Sequence, residues 1–367
     1  MISCDKTITV ALDVMGADVS PESIMEGGLE AAAQKGNALK LVFVGKVEVI
    51  NDFIKTRKDL PDNIIIENAP HAVAMSDSAT EGVRKKTSSI AIGLSRQKEH
   101  RADAFVSAGN TGAVMASSIL ILGRVEGVSR PAIVSFFPTL QGKPTLVLDV
   151  GANVDCKPSH LFQFGLMGSI YASLMGGRTS PRVGLLSIGE ERSKGNEVVL
   201  ATHALFEKSD LNFVGNVEGR DILTGEIDVV AVDGFVGNAI LKFAESVEVF
   251  LTKSITHQIE TNIFSRIGAG LLSPFLRRLR RTFDYSEYGG APLLGVDGVS
   301  IICHGSSSPK AIKNAVIVAM EMVRHRIADN IREELSANNN GNNGEQNNER
   351  NNNRDRLVRT IPPADQL

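Results

Sequence analysis

Residues 7–44 read TITVALDVMGADVSPESIMEGGLEAAAQKGNALKLVFV, and this stretch decides the fold class. Thr7–Leu12 is an apolar, β-branched run that reads as a strand. Ser20 followed by Pro21 opens a segment that closes at Gly36, the pattern of an N-cap, a proline in the first turn and a glycine beyond the last. Leu39–Val44 is a second strand. Strand, helix and strand in that order form a βαβ unit, and continuous apolar strands linked by helices predict a mostly parallel sheet covered on both faces. The alternation continues through strand candidates at Asn63–Glu67, Ala104–Ser107, Ala132–Phe137, Thr145–Leu148, Arg182–Ser187, Leu211–Gly215, Asp228–Val232 and Ser300–Cys303. Ligands of such sheets collect at the carboxyl ends of the strands.

The chain has 367 residues, 43% of them hydrophobic, enough for a substantial core. Its 39 basic and 42 acidic side chains leave a net charge of −3, so no global field draws it to nucleic acid, and none is expected as a partner. Three distant cysteines, Cys4, Cys156 and Cys303, exclude a disulfide framework and any CxxC site, which suits a reducing cytoplasm. Met1–Asp13 lacks the basic start and long apolar run of a signal peptide. Ala104–Gly123 and Pro158–Gly177 are uncharged over 20 residues each, yet their internal Gly, Asn, His and Gln fit buried loop-plus-helix segments better than membrane spans. No repeat is visible in the sequence. A single domain is expected over 1–335, followed by a disordered tail over 336–367, since ten of the seventeen residues Asn338–Arg354 are Asn.

There is no GxSxG elbow, HExxH, EF-hand loop, P-loop or strand-linked GxGxxG, and the seven histidines never pair at ligand spacing, so neither a metal nor another cofactor is expected. Five strands instead end in small, polar, glycine-containing turns: Ser107–Ala113, Asp149–Asn153, Gly189–Asn196, Asp233–Asn238 and His304–Ser308. Backbone N–H groups at such turns, with the helix dipole behind them, favour an anion, and phosphate is the natural candidate. Tight turns also need Gly and Asn for positive φ, which is the competing reading of each. Lys194 is either a solvated loop lysine or a cation for phosphate or a developing oxyanion. Cys303 and His304 are adjacent on a strand and point to opposite faces, so Cys303 reads as core and His304 as a phosphate contact or proton carrier. Between Ile255 and Phe283, aliphatic residues interleave with arginines in an amphipathic basic hairpin, with Leu271, Leu272, Phe275, Leu276, Arg277 and Arg278 as its contact residues. Docking to an anionic bilayer or acidic protein and burial in a dimer arm both fit it.

The segments ALDVMGAD (11–18), SAGNTGA, DVGAN, GEERSKGNE, DGFVGN, GGAPLLGVDG (289–298) and HGSS, in this order, resemble the PlsX family of bacterial phosphate acyltransferases from Thr7 to about Ala328. The resemblance implies a three-layer α/β/α, Rossmann-like fold akin to phosphotransacetylases and isopropylmalate dehydrogenases, here with a protruding helical hairpin. It also implies a homodimer and acyl transfer from acyl carrier protein to inorganic phosphate. The acyl phosphate would feed a membrane glycerol 3-phosphate acyltransferase of the PlsY type in phospholipid synthesis, which places the protein in the cytoplasm at the membrane periphery. Where the family commonly has Met-Gly-Gly-Asp-His, this chain has Met-Gly-Ala-Asp-Val19, so no histidine serves from that loop. Lys194 and His304 are the candidate catalytic residues. Asn110, Thr111, Gly112, Asn153, Asn196, Asn238 and Ser306 are candidate contacts to phosphate or thioester, with Asp233 orienting them. A phosphotransacetylase using acyl-coenzyme A, and a catalytically silent carrier-protein scaffold, are the alternatives.

Overall fold

A computed structural model of the chain describes residues 7–57, 60–260, 263–275 and 285–340. The first βαβ unit forms as its sequence dictates: β1 (Ile8–Asp13), α1 (Pro21–Lys35) and β2 (Leu39–Gly45), with β1 and β2 parallel. Ser20 caps α1 by accepting from the Ser23 N–H, and Gly36 leaves the helix at φ 53°, a conformation costly for residues with a Cβ. The remaining strands are β3 (Ile64–Asn68), β4 (Ala104–Ser107), β5 (Ala132–Phe137), β6 (Thr145–Leu148), β7 (Val183–Leu186), β8 (Phe213–Val217), β9 (Val229–Ala231), β10 (Ala291–Leu294) and β11 (Ser300–Ile302). The remaining helices are α2 (Val47–Lys55), α3 (Ala79–Arg84), α4 (Ser89–Lys98), α5 (Thr111–Ile121), α6 (Pro158–Leu174), α7 (Glu197–Glu207), α8 (Gly234–Glu260), α9 (Ile263–Leu271), α10 (Pro309–Arg324) and α11 (Ile327–Asn340).

The eleven strands among the described residues form one sheet in the order β3-β2-β1-β4-β11-β10-β5-β6-β9-β7-β8. Seven of its ten pairings are parallel; the three antiparallel ones join β11, β10, β5 and β6 at the centre. Alternate side chains feed two cores. Val10, Leu12, Leu41 and Phe43 pack with residues of α1, α6, α7 and α10, whereas Ala11, Val42 and Val44 pack with residues of α4, α5 and α8. Burying each large aliphatic side chain contributes about 1.5–3 kcal/mol, so strands sealed on both faces are the main source of stability.

The topology contains a duplication that the sequence hides. β1-α1-β2, β4-α5-β5 and β6-α6 correspond in path to β7-α7-β8, β9-α8-β10 and β11-α10; leaving out β3, an extra strand at one end without a counterpart, the sheet order read inward from either end matches with every strand direction reversed. A pseudo-twofold axis through the sheet between β10 and β5 relates the halves. Consequently β1, β4 and β11 run opposite to β6, β9 and β7, and the carboxyl ends of the two sets lie on opposite edges of the sheet.

Ten of the eleven strands fall on sequence candidates. β10 escaped because APLL carries a proline and lies between the Gly289-Gly290 and Gly295 turns, so that it reads as loop. The hairpin segment also differs: α8 begins at Gly234, far upstream of Ile255, as one 27-residue helix. The last helix runs past Ser336 to Asn340, and the rest of the expected tail lies outside the described residues. Among the described residues no helix is long and apolar enough to cross a membrane.

Candidate active site

The first edge gathers the ends of β1, β4 and β11 around a buried carboxylate. Asp13 is 1% exposed; its Oδ1 accepts from the Met15 N–H at 2.9 Å and its Oδ2 from the Ser107 hydroxyl at 2.8 Å. Ser107 Oγ in turn accepts from the Gly109 N–H at 3.1 Å, so the acid holds the Ser107–Asn110 turn through a relay. Burial pushes the Asp13 carboxyl up to about 6. Asn110 caps α5, its Oδ1 accepting from Ala113 N at 3.0 Å, while its Nδ2 donates to the carbonyls of Ala74, Met75 and Asp77. The β11 turn is sewn to the β1 turn by the Asp18 and Val19 N–H groups, both donating to Gly305 O. There His304 Nδ1 lies 2.7 Å from Ser306 Oγ and accepts from the Ser306 N–H at 3.2 Å, which in the neutral ring places the proton on Nε2.

The second edge gathers the ends of β6, β9 and β7 around Asp149, which is fully buried. Its Oδ1 accepts from Ile133 N (3.0 Å), Gly151 N (3.3 Å) and Ala152 N (3.1 Å); its Oδ2 accepts from Asn153 N (2.7 Å) and Asn153 Nδ2 (3.0 Å). Burial raises this carboxyl above the usual range, against those hydrogen bonds. Asn153 Nδ2 also reaches Pro131 O at 2.7 Å, and the Asn153 carbonyl accepts from Gly234 N at 2.8 Å. The two turns touch so closely that a Cβ on Gly237 would fall 1.9 Å from Asp149 O. Asp233 Oδ1 caps α8 through Val236 N at 2.9 Å, and Asn196 Oδ1 caps α7 through Val199 N at 2.9 Å.

These bonds sort the sequence candidates. Asn110, Asn153, Asn196 and Asp233 lie in the turns that follow β4, β6, β7 and β9, and the bonds just described occupy their side-chain oxygens or amides with caps and turns. The N–H groups of Gly151, Ala152 and Asn153 are likewise taken by Asp149 rather than presented to an anion. Thr111, Lys194 and Asn238 are exposed and their side chains make no hydrogen bond or ion pair among the described residues. Gly112 sits in the first turn of α5. Asn238 Oδ1 lies 3.6 Å from the point where a side chain on Gly151 would begin. In one chain the candidates therefore form two groups: Asn110, Thr111, Gly112, His304 and Ser306 at one edge, and Asn153, Lys194, Asn196, Asp233 and Asn238 at the other. Sequence reading missed Asp13 and Asp149 as organisers, although both stand as the last acid of an apolar strand before a glycine turn, in LDVMGA and LDVGA.

Cys303 is 2% exposed and burial pushes its thiol up to about 12, in keeping with a core residue. In the hairpin segment Leu271 is 80% and Phe275 62% exposed, and α9 packs back on α8 across an apolar groove of about 330 Å³ lined by Ile255 and Ile259. Leu276, Arg277 and Arg278 lie outside the described residues.

Residues 8–330 match the fatty acid synthesis protein family. The chain is 48% identical over 323 residues to the phosphate acyltransferase of Desulforudis audaxviator, covering 88% of this chain and 94% of that protein. It is 48% identical over 315 residues to that of Moorella thermoacetica, covering 86% and 92%. A phosphotransacetylase from Streptococcus pyogenes superposes with a TM-score of 0.55 over 87% of this chain and 95% of its own, at 16% identity, which is a likeness of fold alone. The two-edged α/β sheet, the motif-bearing turns in their order and these identities agree: the chain belongs to the fatty acid synthesis protein family, the PlsX-type acyltransferases.

Proposed function

We propose that the chain transfers a long fatty acyl group from acyl carrier protein to inorganic phosphate, giving acyl phosphate for phospholipid synthesis. Membership among the phosphate acyltransferases supports the acceptor and the acyl class. The observation that carries the reading is the charge pattern of the β7 turn. Glu190 pairs with Arg220 at 3.0 Å and Arg192 with Glu207 at 2.7 Å, while Lys194 has no ion-pair partner among the described residues. An unpaired ammonium on a fixed turn suits an incoming dianion.

A phosphate oxygen attacks the thioester carbonyl, a C–O bond forms as the C–S bond breaks, and the carrier's thiolate leaves and takes a proton from solvent. Phosphate is already largely dianionic near neutral pH, so positioning and charge stabilisation supply most of the acceleration. Lys194 offsets charge on phosphate or the oxyanion, and Asn238 at the same edge is a free donor for a substrate oxygen; Thr111 and the proton-handling pair His304 and Ser306, at the opposite edge of the same chain, join this site from the second copy of the homodimer. The protein works as a cytoplasmic homodimer at the membrane periphery, the exposed apolar residues of α8 and α9 supplying dimer or bilayer contacts, and passes its product to a membrane glycerol 3-phosphate acyltransferase of the PlsY type.

Purified protein, palmitoyl carrier protein and phosphate should yield acyl phosphate by mass spectrometry, with thiol release that depends on phosphate. Equal or better turnover of palmitoyl-coenzyme A would instead assign the phosphotransacetylase reaction, and no thiol release from either would leave a scaffold. Lys194→Ala should lower turnover by on the order of 100-fold with the fold intact; near-normal activity removes Lys194 from the mechanism.

A further inference from the structure

Beneath the Lys194 turn lies a side chain that no motif singles out. Asn216, next to the end of β8, is only 5% exposed and sits opposite Leu185 of β7, under residues 188–195. Its Nδ2 donates to two carbonyls of that turn, Glu191 O at 2.9 Å and Lys194 O at 3.4 Å. The turn itself closes through Lys194 N donating to Glu191 O at 2.9 Å. On the other side the Lys194 stem crosses Gly189, its Cγ 3.0 Å from where a Cβ there would stand. The backbone of the turn is thus held, the missing side chain of Gly189 leaves room for the lysine stem, and the ammonium has no ion-pair partner among the described residues.

Asn216 does this at a disadvantage to the fold. Its Oδ1 is buried without a hydrogen bond, as is Ser187 Oγ under the same turn. A buried acceptor with no donor is destabilising, and an apolar residue of the same volume would remove that penalty. What the amide contributes here is its two donated bonds, and both end on the turn that carries Lys194.

We infer that Asn216 is a positioning residue for acyl transfer, acting through Lys194 by holding its turn in the productive geometry. This rests on the reading that Lys194 meets the substrate. Misplacing a charged group by about an ångström lowers rates by roughly 10- to 100-fold.

The test is a double-mutant cycle on the full chain, with phosphate-dependent thiol release from palmitoyl carrier protein as the readout. Asn216→Leu should lower kcat by roughly 10-fold or more while the thermal midpoint stays level or rises, a pairing that a purely structural role would not give. In the Lys194→Ala background the same change should have no further effect. Near-wild-type turnover of Asn216→Leu, or losses that multiply in the double variant, would overturn the inference while leaving Lys194 in place. Near-normal turnover of Lys194→Ala alone would overturn the Lys194 reading instead. Should leucine lower the midpoint, Asn216→Ser enters the same cycle, and the coupling to Lys194 decides.

Discussion

Replacing Asp13 by Asn should flatten part of the pH dependence of stability, and the size of the effect follows from the site. Burial lifts the Asp13 carboxyl from its ordinary 3.8 to about 6, against the lowering pull of the Met15 and Ser107 hydrogen bonds. The folded state therefore holds this proton more tightly than the unfolded chain. Above about pH 6 the carboxylate is charged in both states, and the fold carries the full cost of burying it, about 3 kcal/mol from a shift of roughly two units at 1.36 kcal/mol each. As pH falls through 6 the folded protein takes up the proton first and that cost is relieved, most of it by about pH 4. Asn keeps the size and cannot ionise, so the stability advantage of Asp13→Asn over the natural chain should shrink by about 2.5 kcal/mol between pH 7.5 and 4. Groups that titrate the other way, such as Asp77 and Asp329, are present in both proteins and cancel in the difference. Urea midpoints and slopes for both chains across this range, at constant ionic strength, give the measurement. A difference that stays constant within about 0.5 kcal/mol would refute a carboxylate raised by burial, as would one that grows on acidification.

Gly237→Ala should destabilise by on the order of 3 kcal/mol or lose the fold outright, because its Cβ would fall 1.9 Å from a buried backbone oxygen of Asp149; thermal melts check this. Asp228→Ala should remove about 3 kcal/mol, read from denaturant midpoints, since the carboxylate accepts from Arg178 and from the side chain and N–H of Arg182; Arg182 is 37% exposed and can turn to water, which keeps the loss at the lower end for a buried pair. Leu271→Glu with Leu272→Glu should abolish binding to anionic vesicles and spare turnover of soluble substrate, whereas unchanged vesicle binding would assign these exposed residues to a dimer arm.

The fold was legible because it rests on local signals. Apolar strands, the Ser20-Pro21 cap and glycine exits each speak within a dozen residues, and their alternation implies a sheet buried on both faces. Sheet order and strand direction were not legible, since they depend on pairings between distant segments such as β4 with β11 and β6 with β9. The site was legible to the level of turns and no further. An Asn in a segment that follows a strand reads the same whether its oxygen caps the next helix, as in Asn110 and Asn196, or remains free within that helix, as in Asn238. Asn216 gave no signal, because its importance lies in which carbonyls its amide reaches.

The recurrence of glycine turns itself takes a different meaning once the duplication is known. Read in sequence, five such turns look like five independent votes for an anion. In the structure they are pseudo-symmetric partners. Ser107–Ala113 corresponds to Asp233–Asn238, His304–Ser308 to Asp149–Asn153, and the β1 turn to Gly189–Asn196. The caps repeat with them, Asn110 matching Asp233 and Ser20 matching Asn196. A duplicated βα unit reproduces its turns because each strand must hand over to its helix under the same steric terms. Recurrence therefore argues for the architecture, and chemistry must be sought where the halves differ. They differ at Lys194: its counterpart turn after β1 carries Asp18 and no cation, whereas the β7 turn holds, above a buried amide, an ammonium with no ion-pair partner among the described residues. That asymmetry is the reason to seek phosphate at the β7 turn rather than at its twin.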